Sequence, residues 1–231
     1  MLRPVCLSVL LCFLLPCTGQ DATFIKHVGF VPVFSKEALQ LHQAVKLADG
    51  TPVTIDRLRF YVSQITLHGQ GRTSFVDPAC HLIDAEIPSS LEVALMVPQG
   101  IHVDSISFLL GIDSLTNVSG AFGGDLDPTK GMYWAWNSGY INWKLEGTCT
   151  KCETLKNQFE FHLGGYLPPY FNAQRIGFAV PAQGPIAIDV DVAAFLERAK
   201  PGERCAIMSP SKEAVELARV AASVFSIADH D

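Results

Sequence analysis

Two histidines lie in the middle of segments whose alternation of apolar and polar residues is typical of β-strands. His27 alternates with apolar residues in "ATFIKHVGF", and His162 alternates with apolar residues in "NQFEFHLGGY". Imidazole is a common metal ligand, although a lone histidine on a strand is more often a hydrogen-bonded core residue. Because the two residues are far apart in the sequence, they form one metal site only if the fold brings them together.

All three tryptophans of the chain lie in one segment, "GMYWAWNSGYINWKLEG", residues 131–147. Trp134 and Trp136 are two positions apart, so their indoles share a face if this segment is extended. The ordinary interpretation of such a cluster is core packing together with an aromatic residue at a strand edge. The Gly- and Asp-rich run that leads into the tryptophans is the longest irregular stretch, and loops carry a large share of functional residues.

Asp125 and Asp127 in "GDLDP" form a second candidate site. Alternate aspartates in a glycine-rich loop can bind calcium, but this run lacks the spacing and the final glutamate of an EF-hand. The default interpretation is that both aspartates form turns before Pro128.

The first twenty residues have the pattern of a signal peptide. Arg3 provides a basic start, an apolar run too short to span a bilayer follows, and "PCTGQ" is a plausible cleavage zone. We therefore expect a periplasmic or secreted protein, with lipidation at Cys17 as the less favoured alternative. The net charge of −6 argues against a nucleic-acid partner, and no later run predicts stable membrane insertion.

Four cysteines remain after cleavage, namely Cys80, Cys149, Cys152 and Cys205. An even number of cysteines in an oxidising compartment predicts disulfides, so all four are disulfide candidates. The CxxC formed by Cys149 and Cys152 favours a local or crossed disulfide. A metal site is less favoured because no second CxxC or CxxH stands nearby, and a thioredoxin-type centre is least favoured because the segment looks like a loop between strands.

Period-two patterns dominate the rest of the chain and predict an all-β fold. The segment "VTIDRLRFYVSQITLHG" changes phase, which indicates a bulge or bend. "SLEVALMVP" and "VDSISFLLGID" look like two strands joined by a hairpin-like turn. Short helices are predicted at "AAFLERA" and at "SPSKEAVELARVAASVFS", the second capped by Ser209 with Pro210 in its first turn. We expect one domain over residues 21–231, an antiparallel β-sandwich or barrel-like domain with a C-terminal α-helix.

Several segments in order along the chain resemble the MbnP-like copper-binding domain family. The most specific are "GDLDPTKGMYWAWNSGYINWKLEG" and "FEFHLGGY", and "FIKHVGF", "LRFYVSQITL", "HLIDAEIPSSL" and "LLGIDSLTNVSGAFGGDLDP" support them. Together these segments cover nearly all of the mature chain. The CxxC loop is not part of the matching blocks.

The resemblance implies a secreted or periplasmic β-rich domain that binds one copper ion. It implies His27 and His162 as imidazole ligands, with Trp134 or Trp136 oxidised to kynurenine by a diheme peroxidase of the MauG-like or MbnH-like class. Imidazole suits copper in both common oxidation states, and kynurenine offers an aryl amine and a ketone where indole offers no ligand. Met132, beside the tryptophans, is a soft donor and a candidate extra contact for Cu(I).

Three functions follow from these observations. The favoured one is a non-enzymatic copper-binding protein for copper acquisition, storage or delivery. The second is a ligand-binding or adhesion β-sandwich without metal, and the third is a thiol–disulfide enzyme that uses Cys149 and Cys152. The sequence contains no nucleophile–base pair, P-loop or dinucleotide motif that would support hydrolysis or nucleotide chemistry.

Overall fold

The computed structural model describes residues 22–69, 74–181 and 184–228, and the predicted signal peptide, residues 1–20, lies outside these ranges. The described strands are β1 Thr23–Phe34, β2 Glu37–Ala38, β3 Ala44–Lys46, β4 Pro52–Gly69, β5 Ser74–Val76, β6 Cys80–Asp84, β7 Glu92–Pro98, β8 Val103–Leu110, β9 Tyr133–Trp134, β10 Gly139–Cys149, β11 Gln158–Gly164, β12 Gln174–Ala179, β13 Ile186–Asp191, β14 Ala206–Ile207 and β15 Phe225–Ile227. The α-helices are α1 Ser114–Val118, α2 Val192–Ala199 and α3 Lys212–Ala222. Short 3₁₀ turns cover Pro88–Leu91, Gly124–Leu126, Pro128–Lys130 and Leu155–Asn157.

The strands form two sheets. Sheet A has five strands in the order β15-β13-β1-β2, with β7 also paired to β1. Sheet B has ten strands and follows β12-β8-β4-β10-β11-β14, with β3, β5, β6 and β9 paired to β4 or β10. Most pairs are antiparallel, but β13 runs parallel to β1 and β14 runs parallel to β11. The predicted antiparallel arrangement thus holds for most strand pairs, and β13 and β14 are the parallel exceptions.

The core lies between the two sheets, which pack face to face. The Phe30 ring of sheet A lies 5.8 Å from Phe60 and 5.6 Å from Phe108 of sheet B, both in edge-to-face geometry. Trp143 stacks on Phe60 at 5.5 Å and is fully buried. Each such ring removed from water stabilises the fold by about 2 kcal/mol. The predicted all-β sandwich is confirmed, and Trp143 lies in the core between its two sheets.

The predicted phase change in β4 is confirmed and occurs twice. The core-facing positions switch phase between Ile55 and Leu58, and again between Val62 and Ile65. The pairing registers shift at the same places, and Gln64 adopts a φ of 50° at the second bulge. The first shift turns a polar stretch of β4 towards the outer face of sheet B.

The prediction of a hairpin-like turn between the strands of residues 90–98 and 103–113 is wrong. β7 pairs with β1 in sheet A, whereas β8 pairs with β4 and β12 in sheet B. The turn at residues 99–102 therefore carries the chain from one sheet to the other. Both strands alternate in burial, and alternation does not reveal which sheet a strand joins.

The two predicted helices form. α2 ends at Ala199, before Pro201, as expected. The N-cap of α3 is Ser211 instead of Ser209, because the Ser211 hydroxyl accepts a hydrogen bond from Ala214 N at 3.0 Å. β15 follows α3 and returns the chain to sheet A. No helix among the described residues is long and apolar enough to cross a membrane.

Candidate functional site

A row of charged side chains crosses the outer face of sheet B. The strand registers align Asp84 with Arg59, Arg59 with Lys144 and Lys144 with His162, across β6, β4, β10 and β11. Arg59 Nε lies 2.7 Å from Asp84 Oδ2. Next to this ion pair lies a cavity of about 520 Å³, which is lined by Arg59, Asp84 and Lys130. We call Asp84, Arg59, Lys144 and His162 the charged row.

Glu146 lies two residues after Lys144 on β10. It connects the charged row to Arg57 and Glu160, its register partners on β4 and β11. Its carboxylate lies 2.7 Å from His162 Nε2 and 3.2 Å from Lys144 Nζ, and it accepts a hydrogen bond from Arg57 Nη1 at 2.6 Å. The register places Glu160 directly opposite Glu146 on β11. Three cationic or basic groups thus surround one carboxylate, and a second carboxylate lies beside them.

Glu146, Glu160 and His162 form a group that can hold a metal ion. One ligand atom from each lies within 4.8 Å of the others, and the described residues contain no other such group of three. His162 is 5% exposed, so its imidazole lies in a sheltered position. A nitrogen donor with carboxylate oxygens suits Cu(II), and the carboxylate at Nε2 orients the ring. These residues therefore fit copper, although they include one imidazole and not two.

The environment of Glu146 lowers the pKa of its carboxyl group. Burial alone would raise this pKa, but the hydrogen bond from His162 and the charges of Lys144, His162 and Arg57 outweigh burial and hold it at about 2, below the ordinary value of 4.5. The folded state consequently binds a proton at Glu146 less readily than the unfolded state does. The stabilisation is complete above the unfolded pKa and is lost as the pH falls through the folded pKa.

We expect Glu146→Gln to flatten the acid limb of the stability curve of the metal-free protein. Thermal unfolding of both proteins between pH 5 and pH 2, with chelator present, measures the loss of stability. This range spans the ordinary pKa of 4.5 and the folded-state pKa of about 2. The wild-type protein should lose more stability than the variant over this interval. The other carboxyl groups titrate in both proteins, so parallel curves would contradict the ion-pair assignment.

Trp134 lies beside this group. A Cβ atom added to Gly164 would stand 2.6 Å from Trp134 Cζ3, so the indole lies directly over this glycine. Gly164 follows His162 by two positions on β11 and therefore shares its face of the sheet. Trp134 is 6% exposed, whereas Trp136 lies in the turn after β9 and is 66% exposed. The two rings are 5.6 Å apart between centroids.

The segment of Trp134 and Trp136 is therefore not extended, and the two indoles do not share a strand face. β9 ends at Trp134, and Asn137 N donates a hydrogen bond to Trp134 O at 3.2 Å, which closes a turn. The glycines and small residues around the tryptophans that favour this turn were visible in the sequence. The turn buries the Trp134 indole and leaves the Trp136 indole exposed.

Met132 is fully buried in a small apolar cluster on the outer side of sheet B. The cluster also contains Trp134, Tyr61 and Tyr140, and the segment between β8 and β9 covers it. Tyr61 and Tyr140 donate hydrogen bonds to backbone carbonyls of that segment, at Asp125 and at Leu126. Met132 thus packs beneath the tryptophan turn, and its role as a copper contact stays a prediction.

The structure does not bring His27 and His162 together. His27 lies on the outer face of sheet A, its side chain is 45% exposed, and its Nδ1 is 2.8 Å from Glu92 Oε1. Its neighbour Val28 points into the core, as Phe161 next to His162 does from sheet B. Since both imidazoles point away from the shared core, they lie on opposite outer faces. Alternation correctly predicted that each histidine faces away from its apolar neighbours, but it could not say that the two faces differ.

Asp125 and Asp127 act as turn residues. Asp125 pairs with Lys130 Nζ at 2.6 Å and accepts a hydrogen bond from Leu82 N at 3.1 Å. Asp127 caps the next 3₁₀ turn by accepting from Thr129 N at 2.8 Å. Both carboxylates already have donors, so the geometry favours the turn interpretation over the calcium site.

Cys152 and Cys205 form a disulfide with a Cα–Cα separation of 5.8 Å. The disulfide prediction is confirmed for these two cysteines, and the bond crosses from the CxxC loop to the segment after α2. Cys80 and Cys149 are free thiols, the first partly buried and the second fully buried. The CxxC itself is therefore not a disulfide.

Sequence reasoning missed the charged residues that surround His162. Lys144 and Glu146 lie in "NWKLEG", and Arg57 and Arg59 lie in "DRLRF". Each pair alternates with buried Leu residues, which is the signal that places both pairs on an outward face. Their meeting around His162 depends on strand register, which the sequence does not supply.

Comparisons with known proteins agree with this architecture. A sequence model of the MbnP family matches residues 26–209. Among solved structures, MbnP from Methylosinus trichosporium is similar, with a TM-score of 0.62 and 13% identity over 89% of this chain and 98% of that chain. At this identity the structural likeness speaks for the fold alone. No curated protein matches the chain. Because the family match spans most of the sequence, the chain belongs to the MbnP family.

Proposed function

We propose that this chain is a non-enzymatic copper-binding protein that acts outside the cytoplasm in copper acquisition, storage or delivery. Membership of the MbnP family supports a copper-related role. The observation that carries the proposal is the sheltered group of Glu146, Glu160 and His162 with Trp134 beside it. We place the copper here and not at the two-histidine site that the sequence suggested.

The residues of this group have distinct tasks in the proposal. His162 supplies the imidazole donor, and Glu146 holds the ring while sharing charge with Lys144 and Arg57. Glu160 lies opposite Glu146 and supplies a carboxylate. The cationic neighbours reduce the negative charge of the two carboxylates, which keeps the metal-free face of the sheet stable. His27 has no part in this site and pairs with Glu92 on the other sheet.

We further propose that Trp134 is the tryptophan oxidised to kynurenine. It is the indole that lies over Gly164, next to His162 on the same face. When formed, kynurenine supplies an aryl amine and a ketone as donors. Trp143, by contrast, stacks on Phe60 and packs against Phe195 at a tilt in the core between the sheets, away from the outer face.

The proposed oxidising partner is a diheme peroxidase of the MauG-like or MbnH-like class. Trp136 is exposed and in ring contact with Trp134, so it offers an aromatic connection from the surface to the covered indole. Asn137, the next residue, lines a surface cavity with Leu167 and Tyr170, which are also exposed. An exposed apolar and aromatic surface at this point suits a protein partner.

Copper content and peptide mapping of protein purified from its native host test the proposal together. We expect one copper per chain and a kynurenine at Trp134, detected as the loss of one carbon and the gain of one oxygen. Trypsin releases residues 131–144 as one peptide that carries all three tryptophans, so Trp143 is an internal control that stays unmodified. A copper-free protein that also fails to bind added copper, or a modification confined to Trp143, would contradict the proposal.

A further inference from the structure

Three cysteines converge at the end of sheet B, on the opposite end of β10 from the tryptophans. Cys152 N donates a hydrogen bond to Cys149 O at 2.9 Å, which closes a four-residue turn. Such a turn brings its first and fourth Cα atoms within about 7 Å, close to the range that a disulfide requires. Cys152 is already bonded to Cys205. A free thiol therefore lies one turn away from a disulfide.

The surroundings of the three cysteines form a defined pocket. The sulfur atoms of Cys152 and Cys205 lie 2.7 Å and 2.8 Å from the carbonyl oxygen of Pro201. Pro201 and Cys149 both line a cavity of about 260 Å³. Thr51 lines the same cavity, is 5% exposed, and its hydroxyl has no hydrogen-bond partner among the described residues. The cavity therefore leaves open space beside Cys149.

A positively and a negatively charged side chain, Lys151 and Asp49, both line this cavity. Lys151 lies inside the CxxC turn and pairs with Asp49 at 2.5 Å. The hydrogen bond to Asp49 raises the pKa of the Lys151 ammonium, which lines the same cavity as Cys149. The thiolate form of a cysteine is the nucleophile of disulfide exchange.

We propose that Cys149, Cys152 and Cys205 form a thiol–disulfide exchange centre, in which Cys149 displaces Cys205 from Cys152. The Cys149 thiolate attacks the sulfur of Cys152, an S–S bond forms between these two residues, and the Cys152–Cys205 bond breaks. Cys205 leaves as a thiolate and takes up the proton that Cys149 released. One disulfide replaces another, so the step needs no oxidant or reductant.

The exchange changes which sulfur an external molecule can reach. Cys149 is fully buried, whereas Cys205 is only partly buried. The free thiol therefore moves from a fully buried position to a partly exposed one, where an external disulfide or a thiol-reactive reagent can reach it. The centre is a site for disulfide chemistry that is separate from the group around His162.

Native labelling with N-ethylmaleimide followed by disulfide mapping tests this proposal. The folded protein is incubated with the reagent for hours, since exchange takes seconds to hours, then quenched in acid and digested with trypsin without reduction. Trypsin places Cys149, Cys152 and Cys205 on separate peptides, residues 145–151, 152–156 and 205–212. We expect maleimide on Cys205 and a disulfide that joins the first two peptides.

Two variants sharpen the result. In Cys149→Ser the labelling of Cys205 should be lost, and in the matched control Cys80→Ser it should persist at the wild-type level. Label on Cys149 or Cys80 with the Cys152–Cys205 bond intact would overturn the proposal, as would equal labelling of Cys205 in Cys149→Ser. If Cys149→Ser does not fold, the disulfide map of the wild-type protein tests the proposal by itself.

Discussion

Replacing His162 by glutamine should weaken copper binding by at least about 100-fold. His162 supplies the imidazole of the group, and losses of this size already follow from changes to residues that only orient a ligand. Glutamine keeps a hydrogen-bonding side chain next to Glu146, so the ion pairs of Glu146 with Lys144 and Arg57 should persist. Competition with a copper chelator of known affinity measures the change, and circular dichroism checks that the variant is folded.

His27→Gln is the matched control for this prediction. His27 also lies on a strand beside a carboxylate, but it is on the outer face of sheet A. We expect its copper affinity to equal that of the wild-type protein. If His27→Gln lost copper binding and His162→Gln did not, the placement of the site on sheet B would be wrong.

Gly147→Ala should destabilise the protein by about 3 kcal/mol and lower its Tm by roughly 10 °C. An added Cβ would overlap the carbonyl oxygen of Thr54 and stand 2.8 Å from Phe159 Cζ. Gly147 also follows the register shift that aligns Glu146 with Arg57 on β4. Relief of the overlap would therefore move Glu146, so copper binding should weaken together with stability.

Gly123→Ala is the control for the glycine substitution. A Cβ at Gly123 meets no atom within 4 Å, and its φ of −93° is open to alanine. This variant should unfold within about 0.5 kcal/mol of the wild-type protein. Thermal unfolding of both variants gives the comparison, and equal melting temperatures would mean that the backbones of β4 and β10 are not closely packed at Gly147.

The faces of the strands were predictable from the sequence because burial alternates with a period of two. The alternation in β11 correctly placed Phe161 inward and His162 outward. It also correctly separated His27 from Val28 in β1. Alternation could not reveal the sheet to which each strand belongs. The choice of sheet decides whether two outward-facing histidines lie close together.

The candidate site depends on register and on one turn, and neither is encoded in a local pattern. Glu146 reaches His162 because β10 and β11 pair in one particular register. Trp134 reaches the same face because the chain turns after β9 and leaves Trp136 outside. The segments that carry the family resemblance contain these residues, whereas the pairing of their side chains follows from the fold.

The most direct test is anomalous diffraction at the copper absorption edge from crystals of the copper-loaded protein. We predict one copper peak on the outer face of sheet B, next to the His162 imidazole and the carboxylates of Glu146 and Glu160. A single peak next to His27, or a copper ion bound elsewhere with none near His162, would contradict the assignment.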